Sequence, residues 1–404
     1  MKSVADHLAE CLSVSTPLAP FLVGLDDAVG CVLAENVRSL VDVPQADLAS
    51  RDGYAVAAAD VLGASAAEPV ELPVTEEVRA DAMDAVSLVQ GTAIRISSGA
   101  PIPRGADTII PIESTDQGRA SVAISRAGTP GSNIRPRAED IAAGAVILQA
   151  GTRIGSRQVA LLAASGHARV MVHPRPRVVV IAVGDELQEP GNTSQQGKIF
   201  DANSHALATA ITDAGGDVFR VGAVSDDKGR LRETLEDQLV RADIIITTGG
   251  LSYGGGDTVK EVLNPIGSVR FDNVSMTPGR QMGVGRLEDE ATIFCLPGSP
   301  VAALTAFEVF IRPALRKMAG YSHIHRRTVD AKVVRGWESP AATEEFVRAK
   351  VLGNPAQGYQ VEPVGDPERP LLSALSAANC LARVPAEQRS VAVGDTLSCL
   401  ILDR

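Results

Sequence analysis

Apolar and polar positions between Arg177 and Met318 alternate in blocks that spell strand, loop and helix in turn. Val178 to Val183 reads as a buried strand running into a loop at Gly184. Leu207, Ala210, Ile211 and Ala214 then share one face of a helix that Gly215-Gly216 stops. A strand over Val218 to Val224 leads to Ser225-Asp226-Asp227, an N-cap for a helix carrying Leu231, Leu235 and Leu239. Asp243 to Thr247 is a further buried strand, ending at Gly249-Gly250. ATIFCLPGSP opens a long helix with Leu304, Phe307, Ile311, Leu315 and Met318 facing inward. Strands with apolar cores alternating with helices predict a parallel sheet covered on both faces.

The flanks follow other rules. The first thirty-five residues read as helical, with Val4, Leu8, Cys11 and Leu12 at helical spacing. Val70 to about Ser125 breaks into short strands punctuated by Gly, Pro and Asp, and GSRQVALLAASGHARV reads as a helix with a glycine stop. After Gly320, the pieces DAKVVRGW, EEFVRAKVL, NCLARVP and TLSCLIL predict a small all-β domain. The fold class is therefore α/β multidomain.

Composition refines this picture in three ways. The chain has 404 residues, more than one core usually organises, and only 3% are aromatic, so its cores are built from Val, Ile, Leu and Ala. A net charge of −11 argues against binding nucleic acid or anionic membranes by bulk electrostatics. Cys11, Cys31, Cys295, Cys380 and Cys399 are odd in number and form no CxxC, against a disulfide framework or a thiolate zinc site. No apolar run reaches the length of a membrane span, and a cytoplasmic location is expected.

Ligands of an open parallel sheet bind beyond the carboxyl ends of its strands. Those ends here carry Gly184-Asp185-Glu186, then Asp201-Ala202-Asn203, Gly249-Gly250-Leu251-Ser252 with Asp257 following, and Pro297-Gly298-Ser299. Glycine-dense loops before helices expose N–H groups that cradle phosphate. Neither GxxxxGK[ST] nor GxGxxG is present, which sets aside ordinary triphosphatase and dinucleotide sites. Carboxylates around such a loop repel phosphate unless a divalent cation lies between them, and hard oxygen donors suit Mg²⁺. Blander readings stay open: Asp201 as a helix cap, Asp52 before Gly53 as a turn residue, Asp140 as a solvated charge.

Taken together, these residues resemble the molybdopterin molybdenumtransferase family, that of MoeA and the gephyrin E-domain. DVPQADLASRDGYAV, SSGAPIPRGADTIIPIE, SNIRPRAEDIAAG, VGDEL, FDANSHAL, TGGLSYGGGDTVK and LPGSPVAAL follow the family's motifs in order along nearly the whole chain. The resemblance implies a homodimer with four domains per subunit. These are a helical connecting domain (1–45 with 134–170), a β-rich insertion domain (46–133), a central MogA-like three-layer α/β domain (171–321) and a C-terminal β-barrel-like domain (322–404). It further implies Mg²⁺-dependent hydrolysis of adenylated molybdopterin with insertion of molybdate, giving molybdenum cofactor and AMP, downstream of a molybdopterin adenylyltransferase.

By the same resemblance, Asp201 and Asp257 are the Mg²⁺ ligands and Glu186 polarises water or orients the metal. Asp52 and Asp140 would face the cleft from the other subunit. Gly249, Gly250 and Ser252 would hold the AMP phosphate, with Pro297, Gly298 and Ser299 bordering the ligand. Ser98, Arg348 and Ser373 would line the molybdate and pterin side. The chain departs from the family at KPGKP, which reads Thr277-Pro278-Gly279-Arg280-Gln281; Arg280 keeps the charge of one lysine but not its geometry. Arg51 stands where the family has Met, and Ser299 where it has Asn. That altered segment is the sequence feature favouring an alternative, a gephyrin-like dimeric scaffold that captures a peptide of a membrane receptor or cytoskeletal protein.

Overall fold

A computed structural model describes residues 1–82, 86–193, 195–251, 257–287 and 291–403. At its centre is a six-stranded sheet in the order Asp217–Val224, Arg177–Val183, Ile244–Thr248, Ala291–Leu296, Gln281–Leu287, Gly267–Asn273. The first four strands are parallel and the last two are antiparallel additions at the edge. The alternation inside the apolar runs decides the layering. Val178, Val180, Ile244 and Ile246 pack towards helix Asn203–Ala214, the long helix after Ser299 and the N-terminal helix Val4–Val14. Val179, Ile181, Val183 and Ile245 face the opposite way, onto helices Lys228–Leu239 and Thr258–Leu263. Successive strand side chains point to opposite faces, so an all-apolar strand needs a helix layer on each.

The cap expected at Asp227 is formed: its side chain accepts from the Arg230 N–H. Gly215 closes the preceding helix with a φ of 101°, a left-handed conformation that glycine adopts without a Cβ penalty. The long helix is continuous from Pro300 to Met318, but Phe307–Ile311 is a π-helical turn. Pro313 has no N–H to return to the preceding turn and its ring crowds the carbonyl four residues back, and the widened turn accommodates both.

The expected helical N-terminus is corrected. Only Val4–Val14 is helical, and Phe21–Gly24 and Val32–Leu33 are strands on either side of Arg169–His173. Pro17 and Pro20 interrupt the helical register, and the apolar stretch after them finds its partner some 150 residues away. Next comes a five-stranded sheet in the order Thr108–Pro111, Gly53–Val56, Ala93–Ile96, Val70–Val78, Ser121–Ile124. In the C-terminal region, strand Glu344–Asn354 pairs with both Gly358–Pro363 and Cys380–Val384. Through Thr328–Val333 and Thr396–Ile401 the pairing closes into a five-stranded barrel, which leaves no exposed ring edge. Met276–Thr277 adds in parallel to that strand, fastening the segment before Arg280 to the barrel. Among the described residues, no helix is long and apolar enough to cross a membrane.

The N-terminal helix is fixed by a buried histidine. His7 is 2% exposed, stands edge-on to the Phe310 ring at 4.8 Å, and its Nδ1 lacks a hydrogen-bond partner. Burial, reinforced by the charge of Lys2, lowers its pKa from 6.5 to about 4. The unfolded chain therefore takes up this proton near pH 6.5 while the folded chain resists it down to about 4. The stability linked to His7 is complete above 6.5 and is lost as the pH falls through that window, by about 3 kcal/mol. Urea unfolding at pH 7 and pH 4.5 should show a smaller loss for His7→Leu than for the wild type. Equal losses would contradict a neutral, buried imidazole.

Candidate active site

The chain enters the central sheet at Arg177–Val183, steps outward to Asp217–Val224, then returns to the other side at Ile244–Thr248. The carboxyl ends of the first and third of these strands flank a topological switch point, where open α/β sheets bind ligands. Three loops converge there. Gly249 (φ 88°) and Gly250 (φ 65°) turn directly over Val183, so closely that a Cβ on Gly249 would run into the Val183 carbonyl oxygen. A Cβ on Gly298 would lie 3.5 Å from the Gly249 Cα, so the Pro297-Gly298-Ser299 loop rests on the glycine turn. Gly279 packs against Pro297 and Ala302, bringing the exposed Arg280 to the same edge. Ser252 lies outside the described residues.

Asn203, which sequence reasoning left without a role, ties these loops together. Its Nδ2 donates to Thr248 Oγ1 at 2.7 Å and to the Gly298 carbonyl at 2.8 Å, while Thr248 Oγ1 donates to the Pro297 carbonyl at 3.0 Å. The signal was an asparagine two residues after Asp201, at the start of the helix that follows the first strand-end loop.

Asp201 is 1% exposed. Its Oδ1 accepts from the Ser204 N–H at 3.0 Å and its Oδ2 from the Ser204 hydroxyl. The capping reading of Asp201 is thus realised, without excluding a second partner, because each carboxylate oxygen has two lone pairs. Ser204 Oγ also accepts from Arg220 Nε at 2.9 Å, and Arg220 reaches Glu189 at 3.0 Å. This chain of bonds fixes the Asp201 carboxylate in place.

Asp257 precedes helix Thr258–Leu263 and lines a cavity of about 210 Å³ with Lys260, Asp272, Asn273 and Gln281. Sequence reasoning missed these neighbours because Asp272 and Gln281 belong to the two antiparallel edge strands, whose register no local pattern announces. Val259 packs on Gly250, which places this cavity beside the glycine turn. The oxygen donors here, carboxylate and amide, are the hard set that Mg²⁺ prefers. Lys260 lines the cavity too and Asp272 is paired with Lys2 at 2.9 Å, which makes Asp257 the candidate carboxylate for a metal. Glu186 is exposed, and its carboxylate folds back over Gly184 at the end of the neighbouring strand.

The remaining expected residues lie elsewhere in the chain. Asp52 Oδ1 accepts from the Ser98 N–H at 2.7 Å, so these two form one exposed pair on the five-stranded sheet. Asp140 is exposed in a turn, its N–H donating to the Val43 carbonyl at 3.0 Å. Arg348 is buried, and its Nη2 donates to the carbonyls of Asp366 at 2.8 Å and Arg369 at 2.6 Å. It thereby holds the loop leading to helix Leu372–Ala377, on which Ser373 is exposed.

Comparison with known proteins identifies the family. Residues 2–166 match the family model of the MoeA N-terminal region (domain I and II), 179–317 a probable molybdopterin binding domain, and 330–402 the MoeA C-terminal region (domain IV). The chain is 39% identical to molybdopterin molybdenumtransferase 2 of Mycobacterium tuberculosis over 403 residues, 98% of either chain. It is 28% identical to the molybdopterin molybdenumtransferase of Staphylococcus aureus, across 99% of this chain and 95% of that one. The crystal structure of a molybdopterin biosynthesis MoeA protein from Pyrococcus horikosii superposes with a TM-score of 0.83 at 28% identity, covering 100% of this chain and 99% of that one. The chain belongs to the molybdopterin molybdenumtransferase (MoeA) family.

Proposed function

We propose that this chain is a molybdopterin molybdenumtransferase that inserts molybdate into adenylated molybdopterin and releases AMP. The observation that carries this reading is the convergence of the Gly249-Gly250 turn and the Pro297–Ser299 loop at the topological switch point, where Asn203 and Thr248 tie them together. The glycine turn lets an adenylate phosphate approach the backbone, where no side chain stands in the way. Asp257 and Asp201 would hold Mg²⁺, which supplies charge neutralisation at the phosphate when bound. Glu186, exposed at the neighbouring strand end, accepts a proton from the water that adds to phosphorus as AMP leaves. Arg280 draws the molybdate oxyanion to the same edge.

By the family resemblance, the Asp52–Ser98 pair and Asp140 would complete this edge from a second subunit, which makes the proposed active form a homodimer. An adenylyltransferase upstream supplies its substrate. Apart from the altered KPGKP segment, nothing in the structure or the comparisons favours the peptide-capturing scaffold. Activity should require Mg²⁺ and be abolished by EDTA and restored on its re-addition; turnover indifferent to chelation would remove the metal from the reading.

The altered KPGKP segment gives a second test. Thr277 is held by pairing with Glu345 on the barrel strand, immediately before the loop that carries Arg280. Thr277→Lys adds a cation there, and a charge-assisted hydrogen bond of about 1.5–3 kcal/mol corresponds to roughly tenfold or greater tightening of molybdate. Titration of molybdate against both proteins checks this. An unchanged affinity would place position 277 outside the anion site.

A further inference from the structure

A second cavity, of about 480 Å³, opens between the C-terminal end of the long helix and one end of the barrel, where inward-facing Val329, Val351, Tyr359 and Ile401 line it. One wall carries Arg312, Arg316, His323, His325, Arg326 and Arg327. Such a concentration of cations is notable in a chain with a net charge of −11. It lies towards the far end of the helix from Ser299, roughly 20–25 Å along the helix axis from the strand-end loops.

The cations are not all neutralised. Arg326 makes a bidentate pair with Glu308, at 2.7 and 2.8 Å. Arg312 is 8% exposed and lies 3.8 Å from that same carboxylate, too far for a hydrogen bond. Its Nε and Nη1 are buried without a hydrogen-bond partner. Burial accordingly lowers its pKa to about 10, against the pull of Glu308. A guanidinium left in that state is costly unless an anion compensates it. Arg316 is oriented by donating from Nε to the His323 carbonyl at 3.0 Å and by stacking over the Tyr321 ring at 3.8 Å. Arg327 has no ion pair among the described residues.

With Arg326 cancelled by Glu308, three arginines face one lining carboxylate, Asp403. The excess of about two positive charges matches a phosphate monoester, which carries about −1.5 to −2 near neutral pH. A simple carboxylate would leave one charge uncompensated, and a polyphosphate would exceed the balance. The opposite wall is formed by Val329, Val351, Tyr359 and Ile401, apolar surface suited to the organic part of such an ester.

We propose that this cavity is a binding site for a small organic phosphate monoester, its phosphate held by Arg312, Arg316 and Arg327 and its apolar or planar part against Val351, Tyr359 and Ile401. The site is separate from the strand-end loops, and it stands or falls independently of the transferase reading.

Phenyl phosphate is a suitable probe because it carries the charge and a planar apolar group without being a nucleotide. Calorimetric titration of the full chain should show saturable binding of one phenyl phosphate per chain. Arg312→Gln and Arg327→Gln should each weaken it tenfold or more, while Asp257→Asn leaves it unchanged. Arg327 is exposed, so that variant keeps the test informative even if Arg312→Gln impairs folding. Inorganic phosphate should bind more weakly than the ester. Absence of saturable binding, affinity unchanged from wild type in both arginine variants, or inorganic phosphate binding as tightly would each overturn the proposal. So would an acidic phosphopeptide that outcompetes phenyl phosphate, since that would make the surface a protein-docking site.

Discussion

Asp257→Asn should lower turnover of adenylated molybdopterin by about 10²–10³ while leaving the fold unchanged. The substitution keeps the shape of the side chain and removes only its charge, in a cavity of about 210 Å³ that already contains Asp272 and Lys260. If Asp257 holds Mg²⁺, losing that charge weakens the metal and, with it, stabilisation of the negative charge that develops on the phosphate, a type of loss that commonly reaches this size. Stability should move by no more than about 0.5 kcal/mol, as for changes at surface loops away from the core. Steady-state rates across an Mg²⁺ titration, with urea unfolding of the same samples, separate the two effects. A variant with wild-type kcat at every Mg²⁺ concentration would remove Asp257 from the mechanism.

The largest structural effect is expected from a single methyl group. Gly249→Ala places a side chain where φ is 88° and where its Cβ would meet the Val183 carbonyl oxygen, a backbone atom that has no rotamer to change. The left-handed conformation alone costs an alanine about 1–2 kcal/mol, and the collision forces the turn away from Val183 and from Gly298. The combined loss should be roughly 3 kcal/mol or more, with binding of the adenylate abolished because the turn no longer lies over the strand end. Gly191→Ala is the control: its φ is 93°, but nothing lies within 4 Å of the added Cβ. It should show the conformational cost without the collision, about 1–2 kcal/mol and normal activity. Equal destabilisation in the two variants, measured by denaturant unfolding, would contradict the close approach at Gly249.

The central α/β region was legible because its signals are local. Each strand from Val178 onward is an apolar run, each helix has its own apolar stripe, and Asp227 and Gly215 mark ends by chemistry that acts within a few residues. What sequence could not provide is pairing at long range. Phe21–Gly24 looks like a continuation of the N-terminal helix until Arg169–His173 supplies its partner. Closure of the barrel depends on Glu344–Asn354 meeting two other strands, which no hydrophobic period encodes.

The site divides along the same line. The glycine turn, the Pro297–Ser299 loop and Asp201 were recognisable as polar interruptions at strand ends. The ties made by Asn203, and the presence of Asp272 beside Asp257, arise only when separate strands come together. Arg348 reads in sequence like any polar residue of a β-strand, and only its burial shows that it holds the 366–369 loop. Arg312 is hidden in a similar way: one basic residue on a helix whose other inward positions are apolar.

The most direct test of the transferase reading is a single assay of the purified chain with adenylated molybdopterin, Mg²⁺ and molybdate, following AMP release and active molybdenum cofactor together. The account predicts that both appear in equal amounts and that both stop in Asp257→Asn. Binding of the adenylate without AMP release or cofactor formation, under conditions where the chain is folded, would contradict it.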